Sequence, residues 1–212
     1  MAEEQIEFSQ IAKVDPQIRL LRAGDVRLQV QVGGVETAGG APQVGQLLIM
    51  ASTDPQSSSV EAGIRSGHFK EEAEAICDVF ETAWPEKRQV VSKDSALRIL
   101  YDAGPHHAFE YIWEHRLHQS KDALQVFGRP VLGGGLRFVI PPQPTDEDPV
   151  SIEIKVESFL RNPKKIFVET QMQWPKPQAP ARLNPSSLLQ EVETFAFERV
   201  VPFLTSGEEA PE

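Results

Sequence analysis

The sequence has few of the residues that build disulfide frameworks or membrane spans. Cys77 is the single cysteine among 212 residues, so no internal disulfide can form and a reducing compartment is favoured. No apolar run approaches the roughly 18 residues that a membrane helix needs. The N-terminus is acidic and lacks the basic and apolar regions of a secretory signal. These absences predict a cytoplasmic protein that does not associate with membranes.

Basic residues are also in the minority. The chain has 21 Lys and Arg against 31 Asp and Glu, which gives a formal net charge of −10. The densest basic segment, residues 161–165, holds only three cations and is typical of a solvated hairpin tip. Nucleic acid would be repelled by such a charge balance, so we expect no nucleic-acid partner.

Familiar catalytic motifs are missing as well. The sequence has no His-Glu-x-x-His and no Gly-x-Ser-x-Gly, and Glu114-His-Arg-Leu-His118 only superficially resembles the first. A single cysteine excludes zinc ribbons and iron–sulfur clusters. Cys77 lies beside an apolar helical stripe, which is typical of a buried small hydrophobe rather than a nucleophile. The sequence therefore favours a non-enzyme without a cofactor.

Alternating apolar residues predict several strands. Residues 151–158 and 166–174 alternate with period two on either side of a proline-containing turn, which is typical of a β-hairpin with one buried face. In this hairpin Glu169 falls on the wet face. Further strands are predicted at 26–32, 47–51 and 136–140.

Helical periodicity predicts two long helices and a short one. Residues 69–83 carry an apolar stripe, with Ser66 as the cap and Pro85 beyond the end. The second long helix begins at Asn184-Pro185, is lined by Leu188, Val192, Phe195 and Ala196, and is ended or kinked by Pro202. The short helix spans Lys121–Phe127, between Ser120 and Gly128.

These elements predict the α+β class. We expect a single domain over residues 1–205, with a mainly antiparallel sheet of about six or seven strands and two long helices on one face. Residues 206–212 are acidic and small, which is typical of a frayed tail.

A cluster of histidines is the part of the sequence that best fits a reactive site. Four of the five histidines lie between positions 106 and 118. As a helix, this segment would align His107, Glu110 (or Tyr111), Glu114 and His118, which is a possible catalytic or metal-binding set. As a strand, it would place Phe109, Tyr111, Trp113 and Leu117 on one face, with Ile112 as the misfit. We favour the strand, in a hairpin over residues 96–117 whose charged residues face water and bind no metal.

A run of three glycines is the candidate ligand-binding site. Gly133, Gly134 and Gly135 invite a phosphate-loop interpretation, but they lead into a strand instead of opening a helix. A bulge, a tight bend or a close backbone approach explains them better, and a ligand could use that approach.

Three segments of the last third resemble a known family. The sequence Gly133-Gly-Gly-Leu-Arg-Phe-Val-Ile-Pro141, the run 152–169 and Phe195-Ala-Phe-Glu198 are similar to a sporadically distributed family of uncharacterised bacterial proteins. In that family a glycine-led strand, a hairpin and a C-terminal helix occur in the same order. The resemblance covers under half of the chain. It implies a bacterial origin and an α+β sheet, and it implies no activity.

The functional hypothesis is a non-catalytic interaction protein, of an adaptor or chaperone kind, that uses a sheet edge or a helix-flanked groove. It would bind a protein partner and form a homodimer, because antiparallel sheets have edges that must be covered, charged or paired. The alternatives are a small metal-dependent hydrolase built on the 107–118 cluster, and a small-ligand-binding protein with its pocket near the glycines.

Overall fold

The computed structural model describes residues 19–23, 26–33, 44–51, 59–83, 92–174 and 184–205. These residues belong to two compact units, each with an antiparallel sheet of its own. The α+β class is therefore confirmed. A single sheet of six or seven strands is not confirmed, because the seven described strands divide into a sheet of three and a sheet of four. Two long helices on one face of one sheet are not confirmed either, because the two predicted helices fall largely in different units. The single domain over 1–205 stays a prediction, and the tail 206–212 lies outside the described residues.

The first unit contains a three-stranded sheet and a long helix. The strands, in the order β1-β2-β3, are β1 (Arg19–Ala23), β2 (Val26–Gly33) and β3 (Val44–Ala51). The strands predicted at 26–32 and 47–51 are therefore confirmed. The helix α1 (Ser59–Ala83) buries Ala73 and Cys77, which lie one turn apart.

Helix α1 begins earlier than the sequence predicts. Ser66 lies inside it, so the prediction that Ser66 is the cap is wrong. The segment ahead of Ser66 includes the strong helix formers Glu61, Ala62 and Arg65. One interior glycine, Gly67, costs only about 1 kcal/mol relative to alanine, which is too little to end so long a helix.

The second unit contains a four-stranded antiparallel sheet in the order β4-β7-β6-β5. Its strands are β4 (Lys93–Asp102), β5 (Gly135–Ile140), β6 (Ser151–Ser158) and β7 (Lys165–Trp174). The predicted hairpin is confirmed as β6 paired with β7, and the strand predicted at 136–140 is β5, paired with β6.

One face of this second sheet forms the core. The buried side chains of β6 and β7 follow the predicted alternation and include Ile152, Ile154, Val156, Ile166, Val168, Met172 and Trp174. They contact Val192, Val200 and Leu204 from the C-terminal helices, all of which are fully or almost fully buried. The predicted inner stripe of the C-terminal helix is confirmed, because Val192 and Ala196 are buried and Leu188 and Phe195 pack against this core.

The C-terminal helix changes type before its proline. It runs as α2 (Pro185–Phe195), then as a π-helical segment (Ala196–Val200), and then as a short α-helix (Val201–Thr205). Pro202 does not end the helix, which continues to Thr205. Because proline has no N–H to donate, the ladder shifts just ahead of it, and Val201 donates to the Ala196 carbonyl.

The prediction of a strand at 108–117 is wrong, because this segment is helical. It comprises one α-helical turn (Ala108–Glu110) and a π-helical segment (Tyr111–Arg116). The hairpin over 96–117 is wrong as well, since β4 pairs with β7 over its whole length. The physical reason lies in the core. Tyr111 and Ile112 are both buried, and adjacent residues of a strand would point to opposite faces.

Local contacts also favour this helix. The ring of His107 caps it, because Nδ1 accepts a hydrogen bond from the Phe109 N–H at 3.2 Å. Residues four apart then bring their rings together, with Phe109 stacked on Trp113 at 6.0 Å between centroids. The 3-10 helix Lys121–Phe127 follows with its predicted bounds, capped by the Ser120 hydroxyl and ended at Gly128 in the left-handed region.

Candidate functional site

Among the described strands, the second sheet has two edges, β4 and the six-residue strand β5. In the described part of the chain, β5 pairs with β6 alone. Hydrogen-bonded pairs alternate along an antiparallel ladder, and the bond of 3.0 Å from the Ser158 N–H to the Gly134 carbonyl sets the phase. By this alternation the pairs bonded to β6 are those of Leu136, Phe138 and Ile140. The backbone N–H and C=O groups of Gly135, Arg137 and Val139 therefore point away from the sheet.

The side chains of this edge are mostly apolar and exposed. Val139 is 62% exposed, and Phe138 and Ile140 are each 38% exposed. The one charged side chain of the strand, Arg137, forms an ion pair of 2.5 Å with Glu153 on β6. Edge strands are usually protected by lysines, prolines or bulges, because an unpaired apolar edge is a template for another strand. Residues 135–140 contain no lysine, proline or bulge, and Arg137 is their one charged side chain.

An aromatic pair lies on the core side of the same edge. The rings of Phe138 and Phe203 meet edge to face at 5.6 Å between centroids, and both are partly exposed. The guanidinium group of Arg116 lies 4.9 Å from the centroid of the Phe203 ring and donates a hydrogen bond to the Phe203 carbonyl. The edge therefore joins an exposed apolar strand to an exposed aromatic surface of the C-terminal helix.

The opposite face of the second sheet carries a row of alternating charges. Glu169 on β7 lies between Arg98 on β4 and Lys155 on β6, with Lys155 Nζ 2.8 Å from its Oε1 and Arg98 Nε hydrogen-bonded to Oε2. Lys155 also contacts Glu153 at 3.1 Å. This face is the predicted polar face, but Glu169 itself is buried.

The flanking cations decide the charge of Glu169. Burial by itself raises the pKa of this carboxyl, but the hydrogen bonds from Lys155 and Arg98 outweigh burial and hold the pKa below its ordinary value. The pKa of Lys155 is raised in turn, first by its hydrogen bond to Glu169. The carboxylate of Glu169 therefore stays ionised, and its ion pairs with Arg98 and Lys155 link the neighbouring strands β4, β7 and β6.

The predicted catalytic or metal-binding residues are only partly brought together. Glu110 and Glu114 share one side of the helical segment, but both carboxylates already contact Lys121. Its Nζ lies 2.7 Å from Glu110 Oε1 and 3.5 Å from Glu114 Oε1. His107 is engaged as the helix cap, and His118 lies past the helix end with a φ of 52°. The hydrogen bond from Lys121 lowers the pKa of Glu110 and the same bond raises the pKa of Lys121.

An ammonium group thus occupies the position between the two carboxylates that a metal ion would take. Among the residues that the structure describes, no three His, Cys, Asp or Glu side chains lie close enough together to share a metal ion. Two other rings of the cluster, His106 and His115, contact each other at 4.4 Å between centroids. The metal-dependent interpretation remains a prediction, and its carboxylates already have a counterion.

The three glycines are explained by close approaches of the protein's own atoms. A Cβ on Gly135 would lie 2.1 Å from the Val156 carbonyl oxygen, and one on Gly134 would lie 2.9 Å from the Phe109 ring. A Cβ on Gly133 would lie 2.5 Å from the Leu160 side chain. This geometry agrees with the predicted close backbone approach. The ligand-binding interpretation stays a prediction, and the space beside each of the three Cα atoms is already filled by the protein's own atoms.

Cys77 is buried on α1, as the sequence predicts. Burial, reinforced by Glu81, Asp78 and Glu74, raises the pKa of its thiol to about 11. A thiol with such a pKa stays protonated near neutral pH, so Cys77 has little nucleophilic character.

Comparison of the chain with protein-family models, with curated proteins and with solved structures finds no match. In the described part of the chain, every helix is too short or too polar to cross a membrane.

Sequence reasoning found strand β5 but missed its position at the sheet edge. Residues 136, 138, 139 and 140 are all apolar, and such a run is typical of a strand whose two faces are both buried, as in the middle of a sheet. The residues that flank the strand could have indicated an edge position, because glycines directly before a strand and prolines directly after it, here Pro141-Pro142, are common at sheet edges.

Proposed function

We propose that the protein is a non-catalytic protein-interaction module that binds an extended strand of a protein partner at the open edge of β5. The observation that carries the proposal is the combination of outward-pointing backbone groups at Gly135, Arg137 and Val139 with exposed apolar side chains on the same strand. Backbone hydrogen bonds would supply affinity, and the alternate side chains would supply selectivity.

Two further observations support a binding role for this edge. The partly exposed Phe138 and Phe203 extend the apolar surface beyond the strand itself, and aromatic residues are enriched in protein interfaces. The strands behind the edge are well packed, since β6 and β7 carry core side chains on one face and the row of charges on the other. A cytoplasmic location and a homodimer, both predicted from the sequence, belong to this proposal.

The test is binding of an extended peptide to the full chain. The probe is a labelled synthetic peptide with the sequence of β6 (Ser151–Ser158), because β6 is the strand that already matches β5. We expect saturable binding to the wild type. In the Val139→Pro variant binding should weaken at least about tenfold, because proline removes an outward N–H and its ring blocks the close approach of a strand.

A matched control uses the same position. Val139→Ala removes the valine side chain but keeps the N–H, so it should bind within about threefold of the wild type. Both variants should keep the wild-type circular dichroism spectrum, because the Val139 N–H takes no part in the bonds to β6. Equal binding by the proline and alanine variants, or no binding by the wild type, would contradict the proposal.

A further inference from the structure

Building on the proposed function, we infer that the strand bound at β5 is β5 of a second copy of the chain. The two strands pair antiparallel about a two-fold axis at Phe138 and join two four-stranded sheets into one. This inference names the partner and the register, whereas the proposed function requires only that some strand binds.

Symmetry leaves few registers. A two-fold axis perpendicular to the sheet places one residue of β5 opposite its own copy, because directly opposite residues of an antiparallel pair share a face. The strand is only six residues long and is followed directly by Pro141-Pro142, which lack the N–H groups that a further pair would need. Only axes at Arg137 or Phe138 therefore keep all but one residue of the strand paired.

Charge decides between these two registers. An axis at Arg137 places two guanidinium groups directly opposite each other, and like charges in that position are destabilising. An axis at Phe138 places Phe138 opposite its copy, Leu136 opposite Ile140 of the second copy, and Arg137 opposite Val139 of the second copy. The second register pairs apolar with apolar residues on the core face and separates the two arginines.

The backbone phase allows both registers, since an axis at Arg137 would also pair outward-pointing residues with one another, so charge and not the backbone decides. With the axis at Phe138, the outward-pointing groups of Arg137 and Val139 meet those of Val139 and Arg137 of the second copy. This gives two hydrogen-bonded pairs with two bonds each. Phe138 and its copy then form a non-hydrogen-bonded pair, in which Cα atoms lie about 4.5 Å apart and side chains are closest.

The side chains on both faces complement one another in this register. On the core face the edge-to-face pair of Phe138 and Phe203 meets its own copy, so four partly exposed rings become buried together. On the opposite face, Glu153 lies opposite Val139, which in turn lies opposite Arg137 of the second copy. Each Glu153 thereby gains a second arginine in its row, about two strand spacings or 10 Å away.

A substitution at Val139 separates folding from association. In Val139→Lys the new ammonium lies opposite Glu153 of its own chain, which favours the folded monomer. In the dimer the same ammonium lies opposite Arg137 of the second copy, twice by symmetry. We expect wild type to form a reversible dimer in sedimentation velocity, with a dissociation constant in roughly the micromolar range. In Val139→Lys this constant should rise about tenfold.

The matched control is Val126→Lys. Val126 is 82% exposed and belongs to the 3-10 helix Lys121–Phe127, not to the edge strand. It makes the same change in side chain and in net charge, so it reproduces any general effect of making an acidic chain less acidic. Its dissociation constant should equal or fall below that of the wild type. An equal weakening by both substitutions would overturn the inference.

Disulfide trapping tests the register directly. In a Phe138→Cys variant, the Cα atoms of the two cysteines should lie about 4.5 Å apart, inside the Cα–Cα range of about 4.4 to 6.8 Å that a disulfide requires. In a Leu136→Cys variant, the two copies are offset by four residues, or about 13 Å, and should not cross-link. Cys77 can remain in both variants because burial raises its pKa to about 11, and the wild type controls for it.

The outcomes distinguish this inference from the proposed function. Rapid cross-linking of the Phe138→Cys variant alone supports the inference. A Phe138→Cys variant that dimerises in sedimentation velocity but does not cross-link would overturn the register while leaving the strand-binding function in place. A wild type that stays monomeric at high concentration yet binds the β6 peptide would overturn the second copy as partner. A monomer that binds no peptide would overturn both.

Discussion

Removing a buried hydroxyl group should stabilise this protein. Thr170 lies on the core face of β7 and is 1% exposed, and Ser95 on β4 is 6% exposed. Within the described ranges, neither hydroxyl oxygen has a hydrogen-bond partner. A buried hydroxyl left without a partner costs about 1 to 3 kcal/mol, whereas an apolar group of the same shape carries no such cost. We therefore expect Thr170→Val to raise the free energy of unfolding by about 1 kcal/mol.

The effect can be measured by thermal and urea unfolding. A gain of about 1 kcal/mol corresponds to a rise of about 2 to 4 °C in the melting temperature of a chain of this size. The control is Thr170→Ser, which keeps the hydroxyl but loses a methyl group, and it should be less stable than the wild type by about 1 kcal/mol. If Thr170→Val is instead destabilised by 1 kcal/mol or more, the hydroxyl makes a stabilising hydrogen bond and the reasoning fails.

Three further predictions concern the helices and the charged groups. Phe195→Asp should destabilise the protein by about 3 kcal/mol or more, because Phe195 packs against the core. The control, Glu191→Ala on the exposed side of the helix, should change stability by less than about 0.5 kcal/mol. Equal melting temperatures for Phe195→Asp and the wild type would refute this placement. Folding lowers the pKa of Glu169, so the carboxylate stabilises the protein fully above its ordinary pKa of 4.5 and loses this contribution as the pH falls through the lower folded value. The free energy of unfolding of Glu169→Gln should therefore fall less steeply with decreasing pH than that of the wild type. An identical pH dependence for the two proteins would contradict the ion-pair row. Zinc or manganese should not raise the melting temperature, because Lys121 already neutralises Glu110 and Glu114. A metal-dependent rise that disappears in a Glu114→Gln, His118→Ala double variant would instead favour the metal-dependent hydrolase.

The sequence predicts those elements whose local pattern agrees with their final surroundings. Strands β6 and β7 alternate cleanly because one face of the sheet is buried and the other is polar, and the C-terminal helix has its N-terminal cap and apolar stripe in sequence. Glu169 is the exception on the polar face. Its burial depends on cations from two neighbouring strands, and that arrangement exists only once the strand order is set.

The segment 108–117 shows where pattern reasoning fails. Its aromatic residues alternate, so period two fits well, and only Ile112 breaks the pattern. That single misfit carried the decisive information, because Tyr111 and Ile112 are both buried in the core. Strand order is equally hidden. The glycines and prolines that flank 135–140 hint at an edge strand, but they do not name β6 as its one neighbour among the described strands, which became clear only with the sheet assembled.

Amide hydrogen exchange tests most directly whether the open edge of β5 binds a strand. At low protein concentration, the amides of Leu136, Phe138 and Ile140 should be protected by their bonds to β6, while those of Arg137 and Val139 exchange freely. At high concentration, the amides of Arg137 and Val139 should become protected as well, and the added protection should be lost in the Val139→Lys variant. Exchange at Arg137 and Val139 that is independent of concentration and of the added β6 peptide would contradict a strand-binding edge.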